Sequence, residues 1–202
     1  MPISDASMSF GAFVHSVLDA IEAANVPYLI GGAVALAAWG ENRTTRDLDL
    51  VVDLPFESMG DLSRELEKRD MLVPIDIMID LALEDRADLP INAIHMFSDY
   101  KAELFLLKPR DAFREICLQR RQQVDLGPPL GEVYVHSAED LILNKLKYYR
   151  ISKQPKHVRD ITSIVLNQGA ELDVQYINGW VEYLGVTDIW QDIVGRIEAP
   201  DF

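Results

Sequence analysis

Residues 26–53 read VPYLIGGAVALAAWGENRTTRDLDLVVD. The apolar run at residues 26–30 stops at Gly31-Gly32, and helix-forming residues then fill positions 33–39. This order predicts a strand, a glycine turn and a helix. Apolar and mostly acidic side chains alternate at residues 47–53, which predicts a second strand with one aliphatic face.

The acidic face of this second strand carries Asp47 and Asp49. Aspartate is depleted in strands, so two aspartates at alternate positions need an explanation. Alternate strand positions point to one face about 6.5–7 Å apart, where two carboxylates can share a divalent cation or a metal pair. The alternative is an edge strand whose acidic face is merely solvated. The D-x-D pattern alone does not separate these two interpretations.

The flanking sequence predicts further helices and strands. Residues 75–83 fit both strand alternation and helical spacing, and we favour a helix. Residues 137–140, Ser-Ala-Glu-Asp, resemble a capping box that opens a helix. The other predicted elements are helices at residues 9–25, 57–69 and 110–123, strands at 91–97, 101–107 and 132–136, and helices that begin near Pro155, Asp173 and Thr187. We therefore predict an α/β (α+β) fold, with a mixed sheet and its helices at residues 1–136 and a helical subdomain at residues 137–202.

Composition limits the classes of function. With 202 residues, 49% of them hydrophobic, the chain can bury a core, and one domain or one domain with a small appendage is predicted. No apolar run approaches the ~20 residues that a membrane span needs, so we expect a cytoplasmic protein with no membrane partner. The net charge of −14 opposes loose binding to nucleic-acid backbones. The single cysteine, Cys117, is interpreted as a packed thiol, and the sequence has no Cys/His cluster spaced for structural zinc.

The stretch from the glycine turn to the acidic strand resembles the signature of the polymerase-beta-like nucleotidyltransferase superfamily, particularly its small bacterial members and the AbiEii-like toxins. The matching residues are Gly31, Gly32, Ala33, Ala35, Arg43, Thr45, Asp47 and Asp49. The resemblance implies a nucleotidyltransferase-type mixed sheet flanked by helices, with Asp47 and Asp49 as catalytic metal ligands. It also implies that Gly31 and Gly32 let the backbone approach a triphosphate, and that Arg43 and Thr45 belong to the nucleotide site.

Such a site normally includes a third carboxylate from a neighbouring strand. The run Lys101-Ala102-Glu103-Leu104-Phe105 resembles the corresponding stretch of the family, so Glu103 is inferred to be the third catalytic metal ligand. Adjacent strands lie about 4.8 Å apart, which is within reach of a shared metal. Aspartate is more usual at this position, and the alternative is an exposed glutamate paired with Lys101.

A basic window follows in this acidic chain. It contains Lys145, Lys147, Arg150, Lys153, Lys156, His157 and Arg159. Helical spacing places Lys145 on the face expected to be buried, where a lysine must either extend to solvent or meet an anion. Residues 139–146 and 159–161 also resemble the C-terminal motif of the family, which implies that Lys145 faces nucleotide phosphates and that Asp160 supports the site. The alternative for Asp160 is a pair with Lys156 within one helix.

These patterns predict Mg²⁺- or Mn²⁺-dependent transfer of a nucleotidyl group from a nucleoside triphosphate to a hydroxyl or phosphate of an acceptor. The acceptor could be a tRNA, a protein or a small molecule, and a toxin role with an antitoxin partner is one form of this prediction.

Two rival functions remain. A haloacid-dehalogenase-like phosphatase would use the D-x-D motif, although the basic stretch before Asp47 is unlike the hydrophobic strand such a motif should end. A nucleotidyltransferase fold kept as a binding or regulatory module would bind nucleotide without turnover.

Overall fold

The structure is a computed structural model that describes residues 8–84 and 88–198. The described strands are β1 (Tyr28–Ile30), β2 (Asp47–Val52), β3 (Ile91–Ile94), β4 (Lys101–Leu106), β5 (Gln122–Asp125) and β6 (Glu132–Val135). The described α-helices are α1 (Phe10–Ala23), α2 (Gly32–Trp39), α3 (Phe56–Glu67), α4 (Ile75–Leu83), α5 (Ala112–Gln119), α6 (Ala138–Ser152), α7 (Pro155–Gln168), α8 (Val174–Leu184) and α9 (Thr187–Glu198). None of them is long and apolar enough to cross a bilayer.

The six described strands form one mixed sheet in the order β3-β4-β2-β1-β6-β5. β2 runs parallel to β4 and antiparallel to β1, and β1 runs parallel to β6. β3 and β5 pair antiparallel with their neighbours at the two edges. The predicted mixed sheet flanked by helices is therefore confirmed, including the helix at residues 75–83.

The sequence of the central strand β2 alternates at its start because one face of the strand is buried there and the other is accessible. Leu48 and Leu50 are buried in the apolar core, whereas Asp47 and Asp49 project from the opposite face and are half-buried. From Leu50 to Val52 every residue is buried, so both faces of the strand are covered towards its end. The two aspartates therefore lie at the one part of β2 where a face is accessible.

The predicted helix at residues 110–123 is too long. Helix α5 ends at Gln119, and residues 122–125 form β5, which pairs antiparallel with β6 from Gln122↔Val135 to Asp125↔Glu132. Three of the four β5 residues are exposed, so the strand carries no apolar alternation that a sequence pattern could reveal. Its position is set by backbone pairing at the edge of the sheet.

The C-terminal helices pack against the sheet and against α2. The Trp39 indole donates a hydrogen bond to the backbone carbonyl of His136 (2.7 Å), and the Gln168 side chain donates one to the carbonyl of Trp39 (3.0 Å). The backbone amide of Glu41 donates to the Ser163 hydroxyl at 2.5 Å. The apolar core is continuous from α1 through α9. Helices α6 and α7 thereby close one side of a cavity over β1, β2 and β4.

Candidate active site

The diglycine turn between β1 and α2 packs closely against Asp49 of β2. Gly32 has φ +58°, and a Cβ atom there would lie 1.7 Å from Oδ2 of Asp49. Gly31 has an extended backbone, and its amide donates a hydrogen bond to the carbonyl of Asp49 (2.8 Å). Only glycine combines a left-handed backbone with room for this carboxylate. The sequence requirement for glycine at position 32 therefore comes from the close approach of Asp49 to the first turn of α2.

Three carboxylates lie together on one face of the sheet. Asp49 on β2 is the direct neighbour of Glu103 on β4, and Asp47 is the neighbour of Lys101, because the two parallel strands pair in register. The side chain of Asp47 is 51% exposed and that of Glu103 is 23% exposed, so both are open to a ligand. The structure brings the three predicted acids together on adjacent strands.

Lys101 is the fourth member of this group. Its ammonium lies 2.6 Å from Oε1 of Glu103 and 3.8 Å from Oδ1 of Asp47. The pairing of Glu103 with Lys101, which the sequence left as an alternative, is thus present alongside the neighbouring aspartates. A divalent cation bound by these carboxylates would compete with the ammonium for Glu103.

The electrostatics of Asp49 reflect this crowding. Burial, and then the charges of Glu103 and Asp47, raise the pKa of Asp49 from 3.8 to about 6, although Lys145 and Arg43 oppose the shift. Carboxylates that repel each other are stabilised by a shared cation. Oxygen ligands of this kind are those that Mg²⁺ and Mn²⁺ prefer. The donor set of Asp47, Asp49 and Glu103 therefore fits the predicted divalent metal.

A cavity of about 280 Å³ opens beside the acids. Asp49 and Glu103 line one side of it, and the diglycine turn lies against it. The cations that line it are Arg43, Arg114, Lys145 and Lys156, and its aromatic lining is Phe105, Phe113, Tyr148, His136 and His157. This chain of net charge −14 thus has a pocket with a local group of cations facing its carboxylates. Such a combination suits a polyphosphate held beside a metal.

Lys145 reaches the cavity from α6 and is fixed by Asp160 of α7. Its ammonium lies 2.6 Å from Oδ2 of Asp160, and both side chains are only 6% exposed. Nε of Arg43 lies 3.5 Å from the other oxygen of Asp160. Burial lowers the pKa of Lys145, although the adjacent Asp160 carboxylate raises it. Asp160 therefore pairs with Lys145 and Arg43 rather than with Lys156, and it lies behind the two cations that face the cavity.

Three predicted site residues, Asp47, Thr45 and Asp160, lie outside the lining of this cavity. Asp47 begins β2 and lies beside Lys101, and Thr45 lies just before β2. The Thr45 hydroxyl accepts a hydrogen bond from the backbone amide of Asp47 (3.1 Å) and donates one to its carbonyl (3.0 Å). The position of Thr45 thus fixes the start of the acidic strand, and its assignment to the nucleotide stays a prediction.

Sequence reasoning missed His136, which lines the cavity immediately after β6. The side chain is 1% exposed, and neither ring nitrogen has a hydrogen-bond partner in the described part of the chain. Burial, with the nearby charge of Arg114, lowers its pKa to about 3, so the imidazole is neutral. The sequence held no signal for it, because a histidine at the end of a short strand is common. Its position against Gly31 arises only from the parallel pairing of β1 and β6.

No protein-family model matches the chain, and no curated protein matches it in sequence. Solved structures do match. The solution structure of the antibiotic-resistance factor ANT(2'')-Ia is 19% identical over 86% of this chain and 91% of that chain, with a TM-score of 0.59. The crystal structure of ANT(2'')-Ia in complex with adenylyl-2''-tobramycin has the same identity and TM-score and covers 97% of that chain. An antigenic nucleotidyltransferase-like protein from Paracoccidioides brasiliensis is 19% identical over 98% of this chain and 95% of that chain, with a TM-score of 0.52.

The fold of this chain is therefore that of the nucleotidyltransferases. This agrees with the superfamily resemblance of the diglycine turn and the acidic strand. The narrower likeness to AbiEii-like toxins stays a prediction.

Proposed function

We propose that the chain is a nucleotidyltransferase that moves an NMP group from a nucleoside triphosphate to an acceptor, with release of pyrophosphate, using Mg²⁺ or Mn²⁺. The observation that carries this proposal is the pairing of β2 with β4. It sets Asp47, Asp49 and Glu103 side by side next to a glycine turn and a cavity with cations on its wall. Two-metal nucleotidyl transfer needs such carboxylates beside a binding place for the polyphosphate.

Each group in the site has a role in this reaction. Asp47, Asp49 and Glu103 would hold the metal, which when bound lowers the pKa of an attacking hydroxyl and stabilises charge on the phosphoryl oxygens. Glu103, on the cavity side, would orient the acceptor and receive its proton once Lys101 has released the carboxylate. Lys145 and Arg43, supported by Asp160, would bind the triphosphate and hold it in line with the acceptor.

A small molecule is favoured as the acceptor over a tRNA or a protein. A net charge of −14 repels a polyanion at long range, and only a local group of cations offsets it. The fold is also compatible with such an acceptor, since ANT(2'')-Ia has been solved in complex with adenylyl-2''-tobramycin. Among the possible acceptors, we therefore favour a hydroxyl-bearing metabolite or antibiotic.

The proposal is tested by incubating the protein with each labelled NTP, Mg²⁺ or Mn²⁺, and separate fractions of metabolites, protein and RNA. We expect label in the metabolite fraction. Asp49→Asn should abolish the transfer, whereas Asp53→Asn, at an exposed position just after β2, should leave it unchanged. Equal transfer by wild type and Asp49→Asn would contradict the proposed site, and label in the RNA or protein fraction would overturn the acceptor class.

The binding-module alternative has one observation in its favour, which is the 2.6 Å contact between Lys101 and Glu103. A protein in which this pair never opens would bind nucleotide without turnover across a wide panel of acceptors. The phosphatase alternative is not favoured, because Asp47 is the first residue of β2 rather than a residue at the end of a hydrophobic strand. Absence of a trapped phosphoaspartate at Asp47 is the result expected here.

A further inference from the structure

A second group of potential ligands, apart from the three acids, lies where His136 lines the cavity. It consists of Cys117 from α5, His136 after β6 and Asp140 in the first turn of α6. One ligand atom from each lies within 4.8 Å of the others, and the three residues are 0%, 1% and 0% exposed. They are 19 and 4 positions apart in sequence, so only the tertiary fold brings them together.

Three polar atoms of this group lack a hydrogen bond in the described part of the chain. Both ring nitrogens of His136 and Oδ2 of Asp140 are buried without a hydrogen bond in the described structure. Leaving a buried polar atom unpaired costs about 1–3 kcal/mol each, so native structures rarely keep several together. A ligand that all three side chains can bind would remove that cost.

The surroundings hold Asp140 in place without satisfying Oδ2. Its other oxygen accepts a hydrogen bond from the Tyr176 hydroxyl (2.6 Å), and its backbone amide donates to the Ser137 hydroxyl (3.2 Å). Nε of Arg120 lies 3.5 Å from Oδ2 but makes no hydrogen bond with it, and it is itself unpartnered. Besides this guanidinium, the charges of Arg114, Lys145 and Lys147 act on the group, and burial raises the pKa of the Cys117 thiol, so an ion must displace the thiol proton to bind.

We propose that Cys117, His136 and Asp140 form a binding site for a transition-metal ion of the zinc type. A sulfur, an imidazole nitrogen and a carboxylate oxygen are ligands that Zn²⁺ takes, whereas Mg²⁺ and Mn²⁺ prefer oxygen alone. Three protein ligands leave a fourth position for a water molecule. The ion would join α5, β6 and α6 at the back of the cavity, where His136 also contacts the diglycine turn.

This site does not depend on the proposed transferase activity. His136 is held against Gly31, since a Cβ atom on Gly31 would lie 3.3 Å from Cδ2 of the ring. An ion bound to His136 would therefore fix the imidazole beneath the turn whatever reaction occurs above it. The ordinary occupant of such a place is a buried water molecule, and the experiment must separate the two.

The test uses the full chain, purified without a polyhistidine tag, treated with EDTA and then titrated with Co²⁺. With millimolar Mg²⁺ present to occupy Asp47, Asp49 and Glu103, we expect a thiolate-to-cobalt charge-transfer band in the near-ultraviolet spectrum that saturates at one Co²⁺ per chain. Stoichiometric Zn²⁺ should abolish that band, and millimolar Mg²⁺ should not. Cys117→Ala should remove the band, and His136→Gln should weaken Co²⁺ binding at least tenfold. His95→Gln should change neither the charge-transfer band nor the affinity for Co²⁺, because that buried histidine lies outside the group and is hydrogen-bonded to Ser98.

The wild-type titration decides the proposal even if a variant fails to fold. A wild-type protein that shows no charge-transfer band and retains less than a tenth of an equivalent of Zn²⁺ after dialysis would overturn it. With Mg²⁺ occupying Asp47, Asp49 and Glu103, Co²⁺ binding that keeps its affinity after Cys117→Ala in a folded protein would also overturn it, because the ion would then be held elsewhere.

Discussion

Gly32 and Asp49 determine each other's conformation across the diglycine turn. The positive φ of Gly32 directs its backbone so that the Asp49 carboxylate can lie where a side chain would otherwise be. The same carboxylate has its pKa raised to about 6 by burial and by its acidic neighbours. The missing side chain at position 32 therefore leaves room for Asp49, while burial and the neighbouring carboxylates set the pKa of that group.

Gly32→Ala should disrupt this contact. The new Cβ would lie 1.7 Å from Oδ2 and 2.6 Å from Cγ of Asp49, so the aspartate must adopt another rotamer. Together with the left-handed backbone, we expect a loss of at least about 2 kcal/mol in the free energy of unfolding, measured by urea denaturation.

Gly179→Ala in α8 is the matched control, because a Cβ atom there meets nothing within 4 Å. It should stabilise the chain by about 0.5–1 kcal/mol, since alanine is the better helix former. If Gly32→Ala were as stable as wild type, the close approach of Asp49 to the turn would be wrong.

The raised pKa of Asp49 makes stability depend on pH in a defined direction. A carboxyl whose pKa rises from 3.8 in the unfolded chain to about 6 in the fold binds its proton more tightly when folded. The contribution of this proton binding to the free energy of unfolding is fully present below pH 3.8 and is lost as the pH rises through about 6. In EDTA, Asp49→Asn should therefore be more stable than wild type at pH 7.5, by at most about 3 kcal/mol, and the difference should shrink towards pH 4.5.

The measurement is the difference in unfolding free energy between wild type and variant at the two pH values. Asp53→Asn, at the exposed position just after β2, should show no such change with pH. If the stability advantage of Asp49→Asn grew as the pH fell, the pKa of Asp49 would not be raised in the folded chain.

At the level of secondary structure, the sequence predicted the elements whose side chains face two environments. Helix α1 and the first half of strand β2 have one buried and one accessible face, so their periodicity is visible. Strand β5 could not be predicted, because its residues are mostly exposed and its pairing with β6 involves backbone atoms. The acids of β2 and the approximate place of Glu103 followed from pattern and resemblance. The positions of His136 and Cys117 did not, because they depend on which strands and helices become neighbours.

Helices α6 and α7 are joined at the cavity by Lys145 and Asp160. Removing the carboxylate would leave a buried ammonium without its nearest partner. We expect Asp160→Asn to lower the free energy of unfolding by about 3 kcal/mol, measured by urea denaturation. Asp192→Asn, which breaks an exposed pair with Arg196 on α9, should cost less than about 0.5 kcal/mol. Equal costs for the two variants would mean that the buried pair does not hold the helices together.

The described residues on both sides of residue 136 share one apolar core and together line the cavity at the acids. Apolar residues from both sides of the predicted boundary at residue 136 pack together. The cavity takes its lining from the diglycine turn, β2, β4 and α5 on one side and from α6 and α7 on the other. The subdomains predicted at residues 1–136 and 137–202 would each expose part of this core if separated.

The chain should therefore unfold in one cooperative step. Tryptophan fluorescence reports on α2, α8 and α9 through Trp39, Trp180 and Trp190, and far-ultraviolet circular dichroism reports on all helices. The two signals should give one coincident urea midpoint, because neither part can keep its core without the other. Two separated midpoints would show that the helical part is an independent domain.

The shared lining of the cavity also gives a way to search for its natural occupant without an assay for turnover. A compound that fills the space touches the sheet and the C-terminal helices at once, and it favours the native chain over the unfolded one by mass action. At a hundred times its dissociation constant such a compound would add about 2.7 kcal/mol, enough to shift the melting temperature by several degrees. A dye-based melting screen of metabolites and antibiotics, run with and without a nucleotide, could thus rank acceptor candidates directly on the intact protein.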